Sequence, residues 1–299
     1  MIFVNRKTIV IGFFCVSLQT IKSYTTSTMT EIDNNISDKK LRLTIRIGRN
    51  NMTFSVGDPQ ENGVLAYEPY EMNTGISVAA NLRDAFRTSE LLQSGYKRVL
   101  VQMDSPVMLM PIDEYETQDV DTLYYHTFHH KGNDEVLAYQ LKELNVVTVF
   151  SMNKDLRLVI ENHFEDIRIQ PLMCPVWAHL YRRTYAGARR KLYAYFHEKR
   201  MEVFSFQQNR FRFANTYETE NAQDALYYLL YIWKLTGLDT QQDELLLIGD
   251  MPQAELLTDE LAKYLRFSRV VEQADDFAQR HALAERKDIP YDIKAIYLD

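Results

Sequence analysis

Three histidines form the first group of side chains whose types and spacing could support chemistry. His126 and His130 are four residues apart in a segment predicted to be helical, so both would lie on one helix face. With a third ligand from elsewhere they could bind zinc. His129 is their neighbour, but no glutamate completes a His-Glu-x-x-His motif and no cysteine is close in sequence. We therefore interpret the cluster as solvated or half-packed histidines.

Cys174 is the second candidate, as a nucleophile with His163 or His179 as its base. Its neighbours Met173 and Pro175 are apolar, and no oxyanion or base motif accompanies it. Free cysteines in apolar surroundings are usually buried and inert. The sequence therefore favours a structural cysteine.

Clusters of charged residues form the third group. Four carboxylates flank an apolar strand predicted over residues 107–111, and they could do acid–base work or be ordinary turn residues: Asp104, Asp113, Glu114 and Glu116. The densest basic patch could bind phosphate or an acidic partner, but in a chain this acidic we interpret it as a salt-bridged surface. Its members are Arg182, Arg183, Arg189, Arg190 and Lys191.

The charge balance of the chain limits the classes of partner. The 299 residues include 34 basic and 41 acidic side chains, a net charge of −7. Residues 1–28 contain three basic residues and no acid, so the remainder carries 31 basic and 41 acidic side chains. A nucleic-acid-binding protein needs a basic face, so we expect no nucleic-acid partner. Two cysteines exclude a disulfide-rich scaffold and a four-thiolate zinc site.

The N-terminal segment has a different composition from the rest. An apolar run over residues 9–18 follows two basic residues and is too short to span a bilayer, but it has the length of a signal-peptide core. We favour Met29 as the true start, with an export signal as the alternative. We expect residues 1–40 to be a leader and polar lead-in. The expected location is the cytoplasm, and the alternative is export or membrane tethering if residues 1–28 are retained.

The elements that must position any site follow the same order twice. Leu43, Ile45 and Ile47 alternate with polar residues, which predicts a strand with one buried face. In the first half, three strands, a helix and a strand are predicted at 41–47, 52–56, 64–67, 76–92 and 98–102. In the second half, the same order is predicted at 191–197, 201–206, 211–216, 221–235 and 244–248. Such a repeat predicts two similar domains, residues 41–187 and 188–299.

Three antiparallel strands, a helix and a further strand, occurring twice, resemble the actin-like ATPase fold, which is ribonuclease H-like. Over roughly residues 41–271 the chain is similar to pilus and secretion assembly proteins of the PilM and GspL kind. It most resembles an uncharacterised Bacteroidetes family of unknown function. The resemblance implies an α/β fold with two actin-like domains. Each would be a mixed sheet in which an antiparallel three-strand meander is followed by a helix and a strand.

The resemblance also implies a nucleotide site between the domains, with an Asp-x-Gly turn in the first hairpin of each. Gly48 matches the first glycine, but Arg46 occupies the place of the aspartate, where a cation cannot coordinate magnesium. The second hairpin, residues 195–200, has neither aspartate nor glycine, so its side chains would crowd a phosphate. The adenosine-binding turn corresponds to residues 248–252, where Gly249 is the one glycine.

We therefore expect a non-catalytic actin-like protein that acts as a scaffold or regulator by binding another protein, with no cofactor and no metal. The alternative is a divergent ATP-binding protein, ATPase-like or kinase-like, that holds ATP and magnesium in the cleft. Its lining residues would then be Gly48, Asn50, Asn51, Gly249 and Asp250. A third hypothesis is an exported or membrane-tethered assembly component. If Arg46, Phe196 or Glu198 fills the cleft, nucleotide has no room.

Overall fold

A computed structural model describes residues 41–57, 65–128, 132–184, 189–279 and 281–298. The leader, the domain boundary near residue 187, and His129 and His130 lie outside these ranges. The predictions made for them stay predictions. Within the described residues, no helix is both long enough and apolar enough to cross a membrane.

The elements are numbered in chain order. The strands are β1 (Leu43–Ile47), β2 (Asn51–Val56), β3 (Ala66–Glu71), β4 (Arg98–Met103), β5 (Val107–Pro111), β6 (Asp134–Leu141), β7 (Val146–Asn153), β8 (Asp166–Pro171), β9 (Lys191–His197), β10 (Arg200–Gln207), β11 (Arg210–Glu218), β12 (Glu244–Gly249) and β13 (Ser268–Val270). The helices are α1 (Val78–Thr88), α2 (Glu90–Gln93), α3 (Val120–Thr127), α4 (Lys154–Glu161), α5 (Cys174–Thr184), α6 (Ala222–Leu235), α7 (Ala254–Ala262), α8 (Gln273–Asp276), α9 (His281–Ala284) and α10 (Tyr291–Ile296).

The two large sheets have the same topology. Their strand orders are β3-β2-β1-β4-β8 and β11-β10-β9-β12-β13. In the first sheet, β2 is antiparallel to both β1 and β3, and β4 and β8 run parallel to β1. In the second sheet, β10 is antiparallel to both β9 and β11, and β12 and β13 run parallel to β9. A parallel pair needs a crossover connection, which α1 and α6 supply between β3 and β4 and between β11 and β12. The predicted α/β fold with a repeated mixed sheet is confirmed.

The first strand departs from its predicted pattern. We expected one buried face, but all five residues of β1 are buried, including Thr44 and Arg46 at 2% and 3% exposure. Leu43 and Ile45 pack in the core that β1 shares with α1 and α4. The other face is covered by the C-terminal segment, where the Tyr297 hydroxyl donates to Thr44 Oγ1 at 3.3 Å. The alternating pattern was therefore wrong about exposure because distant residues cover the polar face.

Two boundaries near the first crossover also differ from prediction. The helix predicted over 76–92 breaks at Ser89, whose backbone is extended and whose hydroxyl accepts from the Leu92 N–H at 3.2 Å. Strand β3 runs on to Glu71 through Pro69, although we predicted its end at residue 67. Proline is tolerated there because β3 is the edge strand of its sheet.

Two regions complete the described structure. Strands β5, β7 and β6, which follow β4 and precede β8 in the chain, form a small antiparallel sheet. Helix α3 packs against this sheet. After β13, the chain forms the three short helices α8, α9 and α10, for which no element was predicted. Helices of four to six residues carry too little periodicity to be identified by pattern. The last of them brings Asp292 to the face of β1.

Candidate functional site

The β1–β2 hairpin of the first large sheet and the β9–β10 hairpin of the second large sheet contact each other. Arg46 lies on β1, Glu198 in the turn between β9 and β10, and Asp292 on α10. The Arg46 Nη1–H group donates to Glu198 Oε1 at 2.9 Å, and Nε–H donates to Asp292 Oδ2 at 2.6 Å. The side chains of Arg46 and Asp292 are 4% and 0% exposed. One buried cation therefore binds two carboxylates that come from distant parts of the chain.

The Glu198 carboxylate is held by a second contact as well. Its Oε2 atom accepts the backbone N–H of Arg49, in the turn of the first hairpin, at 2.7 Å. Asn51 Oδ1 accepts a further hydrogen bond from Arg46 Nη1 at 2.9 Å. A backbone N–H and a guanidinium are the groups that proteins commonly offer to a phosphate. In this chain they are directed at the protein's own carboxylate.

The electrostatics of the cluster stabilise its charged form. Burial acts to raise the pKa of the Glu198 carboxyl, but the charge of Arg46 and the N–H of Arg49 outweigh burial and hold the pKa below its ordinary value. Burial likewise acts to lower the pKa of the Arg46 guanidinium, but Asp292 and Glu198 outweigh it and raise this pKa. The glutamate and the arginine are therefore both ionised at neutral pH.

The turn that presents Glu198 has an unusual backbone. Glu198 and Lys199 have φ angles of +47° and +61°, as a two-residue hairpin turn requires. Glycine or asparagine is the usual residue in this left-handed region, and other residues cost about 1–2 kcal/mol each. The contacts of Glu198 with Arg46 and Arg49 offset part of that cost.

Gly48 is required by this arrangement. A Cβ atom on Gly48 would lie 2.3 Å from Glu198 Oε1 and 2.8 Å from Arg46 Nη1, well inside van der Waals contact. Its small size therefore makes room for the carboxylate of the second hairpin. The match of this glycine to a phosphate-binding turn has an explanation that needs no phosphate.

Gly249 and Asp250 are placed at the end of β12, beside β9. Gly249 has a φ of +88°, and a Cβ atom there would lie 2.2 Å from the backbone oxygen of Phe196. The N–H of Asp250 donates to that same oxygen at 3.1 Å. The close approach of the two strands therefore requires a glycine at this position.

A cleft of about 350 Å³ remains between the halves. Of the five residues predicted to line a nucleotide site, Asn51, Gly249 and Asp250 border this cleft, together with Arg46 and Glu198. Gly48 and Asn50 do not border it. Its volume is at the lower end of the range of about 300–1,000 Å³ for small-molecule sites.

Two further arginines of these hairpins are also neutralised. Arg49 forms a bidentate ion pair with Glu218, in which the two nitrogen–oxygen distances are 2.6 and 3.2 Å. Arg200 forms an ion pair with Asp104, and both side chains are about nine-tenths buried. The arginines of these two turns are therefore committed to carboxylates of this chain.

Sequence reasoning identified part of this site. It anticipated that Arg46 and Glu198 could fill the cleft, and both are there. Phe196 also borders the cleft, but its side chain is buried in the core of the second sheet with Leu192 and Met201. Asp292 was missed, since a single aspartate between Tyr291 and Ile293 gives no signal of a partner 246 positions earlier.

The cysteine and histidine candidates have structural roles. Cys174 is 2% exposed, and burial raises the pKa of its thiol to about 12. The ring nitrogen Nδ1 of His163 lies 2.7 Å from the carbonyl oxygen of Val159, and Nε2 of His179 lies 2.9 Å from Asp276 Oδ2. The interpretation of Cys174 as a buried cysteine is confirmed. No group of three or more His, Cys, Asp or Glu side chains that could hold a metal occurs among the described residues.

The basic patch is a salt-bridged surface, as interpreted. Arg182 Nε is 3.2 Å from Glu143 Oε2, and Arg190 Nη2 is 2.5 Å from Asp243 Oδ2. Arg189 instead stacks over the Phe267 ring, with 3.6 Å between its guanidinium carbon and the ring centre. Acidic and aromatic neighbours therefore engage these three arginines.

Comparison with solved structures agrees with the topology. A protein from Bacteroides thetaiotaomicron with an actin-like ATPase fold and unknown function is 25% identical, with a TM-score of 0.76. The match covers 88% of this chain and 98% of that one. The PilM–PilN type IV pilus biogenesis complex matches at 11% identity and a TM-score of 0.53, covering 83% of this chain and 98% of that one. The likeness to PilM is one of fold.

Sequence comparison gives a family. Residues 30–267 match the family described as "Protein of unknown function (DUF3822)". No curated protein matches the chain. The resemblance to an actin-like family of unknown function, stated from the repeated element order, is confirmed.

Proposed function

We propose a protein-binding, non-catalytic role for this chain, which belongs to the DUF3822 family of proteins of unknown function and has the actin-like ATPase fold. The observation that carries the proposal is the position of the Glu198 carboxylate. It accepts hydrogen bonds from the Arg49 N–H and the Arg46 guanidinium, in the turn where a phosphate would be expected. A fold that no longer uses this turn for nucleotide can retain its surface for binding other proteins.

The buried charge of Arg46 also disfavours magnesium at this turn. Magnesium in nucleotide sites is bound through carboxylates and phosphate oxygens. Arg46 stands where the resemblance places an aspartate, and its two carboxylate partners, Glu198 and Asp292, are already paired with it. A metal that took both carboxylates would leave the buried Arg46 guanidinium without either anionic partner, which is costly.

The structural similarity to PilM supports a protein partner. PilM is found in a complex with PilN in type IV pilus biogenesis. The complex is a property of PilM, and it gives one example of a protein with this fold that binds another protein. We propose that the DUF3822 chain, too, acts as a scaffold or regulator through a protein partner.

A divergent ATP-binding function is the second candidate. The observation in its favour is the remaining cleft of about 350 Å³, which Asn51, Gly249 and Asp250 border. Equilibrium binding of labelled ATP with magnesium to the full chain separates the two functions. We expect no binding at micromolar ATP, and a micromolar Kd for the unmodified protein would overturn the non-catalytic proposal.

A second experiment tests the role of Glu198 directly. In the variant Glu198→Gly, the glycine suits the φ of +47° and leaves the Arg49 N–H without its acceptor. We expect inorganic phosphate to raise the Tm of this variant in a concentration-dependent way, because it binds the folded state. Lys199→Gly changes the same turn but keeps the carboxylate, so its Tm should not respond. Equal phosphate responses in both variants would contradict the proposal.

A further inference from the structure

A second and larger cleft, of about 630 Å³, is bordered by Arg49 and Arg200 of the same two hairpins. Val107 and Leu109 of β5 border it on the side of the small sheet. Phe211 and Phe213 of β11 border it on the side of the second large sheet, and Trp177 of α5 also lines it. This cleft contains none of the five residues predicted for a nucleotide.

Of the strands that border the cleft, β5 and β11 are edge strands. β5 is at one end of the order β5-β7-β6, and β11 is at one end of the order β11-β10-β9-β12-β13. Within the described ranges, no further strand pairs with the outer edge of either. Free edges carry unpaired backbone N–H and C=O groups, which an extended peptide can pair with.

Of the two edges, β11 is better suited to receive a strand. It has nine residues, whereas β5 has five and ends at Pro111, which has no backbone N–H. Ion pairs tie each end of β11 to the first half of the chain: Arg210 lies 3.6 Å from Asp113, and Glu218 lies 2.6 Å from Arg49. A strand of that length spans about 27 Å, so a segment of six to eight residues fits between the ends.

The wall of the cleft suits apolar side chains. The Trp177 ring meets Phe211 and Phe204 edge to face, with ring centres 5.2 and 6.4 Å apart. The charged residues that line the cleft are three cations and three anions: Arg49, Arg200, Arg212, Asp104, Glu202 and Glu218. Because these charges balance, the cleft does not select a strongly acidic or strongly basic occupant.

Two buried N–H donors in the lining residues have no hydrogen-bond partner among the described residues. Trp177 Nε1 and Arg200 Nε make no hydrogen bond, although the two residues are 4% and 9% exposed. Buried donors are almost always paired in native proteins. Both are N–H groups, and the acceptor they lack is the kind that a peptide carbonyl supplies.

We infer that this cleft binds an extended segment of a partner protein, six to eight residues long, with alternating apolar side chains and little net charge. The segment adds a strand to the free edge of β11. Its alternate side chains pack on Phe211 and on the exposed edge of Trp177, and its carbonyl groups accept from the unpaired donors. This inference rests on the proposed protein-binding function and names the partner's chemistry and its site.

The test uses the full chain and a phage-displayed library of random dodecamer peptides. We expect enrichment of peptides with apolar residues at every second position. A selected peptide, made synthetically, should lose at least tenfold in affinity when N-methylated at alternate residues of one register, and little when methylated in the other. This difference reports strand pairing, since only one register directs its N–H groups at β11.

Matched variants locate the binding. Phe211→Ser should weaken the selected peptide at least tenfold, whereas Tyr231→Ser, on an exposed part of α6, should leave its Kd unchanged. Trp177→Phe keeps an aromatic ring and removes the N–H, so it should weaken binding several-fold even if Phe211→Ser does not fold. Circular dichroism and Tm establish folding of each variant.

Two results would overturn the inference. One is a library without enriched peptides, and the other is a peptide whose Kd is indifferent to both Phe211→Ser and Trp177→Phe. Neither would disturb the proposed function, which fails by a different result, micromolar binding of ATP with magnesium. The two failures are therefore distinguishable.

Discussion

Arg46 and Asp292, 246 positions apart in the chain, form a buried ion pair in which the Nε and Oδ2 atoms are 2.6 Å apart. The pair joins the first strand of the first sheet to the last short helix. Through Glu198 the same guanidinium also contacts the hairpin of the second sheet. One side chain thus links both halves and the C-terminal segment at the place where a nucleotide would separate them.

Replacing Arg46 by methionine should strongly destabilise the protein. The change leaves Asp292 buried without its cation, and loss of one partner of a buried pair costs about 3–5 kcal/mol. Urea unfolding followed by circular dichroism measures the free energy of unfolding.

The control for this prediction is the double variant Arg46→Met with Asp292→Asn. Removing both charges should recover part of the loss, because no unpaired charge remains. If Arg46→Met alone costs less than about 1 kcal/mol, the pair does not hold the halves together as we describe.

Acid should weaken the contact between the two hairpins. The pKa of Glu198 is held below its ordinary value of 4.5 in the folded state. The stability it contributes is therefore fully present above pH 4.5 and is lost as pH falls through the lowered pKa. Urea unfolding at a series of pH values should show a steeper acid loss for the unmodified protein than for Glu198→Gln. Parallel pH profiles would show that Glu198 is not linked to folding.

Gly249→Ala should destabilise the protein for steric reasons. Its Cβ atom would lie 2.2 Å from the Phe196 carbonyl oxygen, at a backbone φ of +88°. Gly95→Ala is the matched control, because Gly95 has a φ of +78° and open space around it. We expect a loss of about 1 kcal/mol for Gly95→Ala and at least twice that for Gly249→Ala. Equal Tm changes in the two variants would exclude the steric explanation.

The Cys174 thiol should be unreactive in the folded protein. It is 2% exposed and its pKa is raised to about 12, so almost no thiolate is present at neutral pH. Labelling with a disulfide reagent at pH 7.5, with Cys15 replaced by serine, should be slow in buffer and fast in denaturing urea. Prompt labelling in buffer would mean that the helix α5 opens readily.

Sequence patterns predicted the repeated sheet and its helices, but they left the site incomplete. Alternating residues identify β1, and apolar residues three and four positions apart identify α1, because each pattern reflects the geometry of its own segment. Gly48 and Arg46 could be aligned with a nucleotide turn by position alone. The alternating pattern of β1 was wrong about its polar face, which is buried as well.

What the sequence determined by itself was therefore the order of elements, the duplicated fold and the arginine at position 46, where the resemblance would place an aspartate. Only the tertiary structure decided what Arg46 contacts. Glu198 and Asp292 are 152 and 246 positions from Arg46, and nothing local marks them as its partners. An ion pair depends on the distance between two charges in space, and that distance is set by how the two sheets and the C-terminal helices pack together.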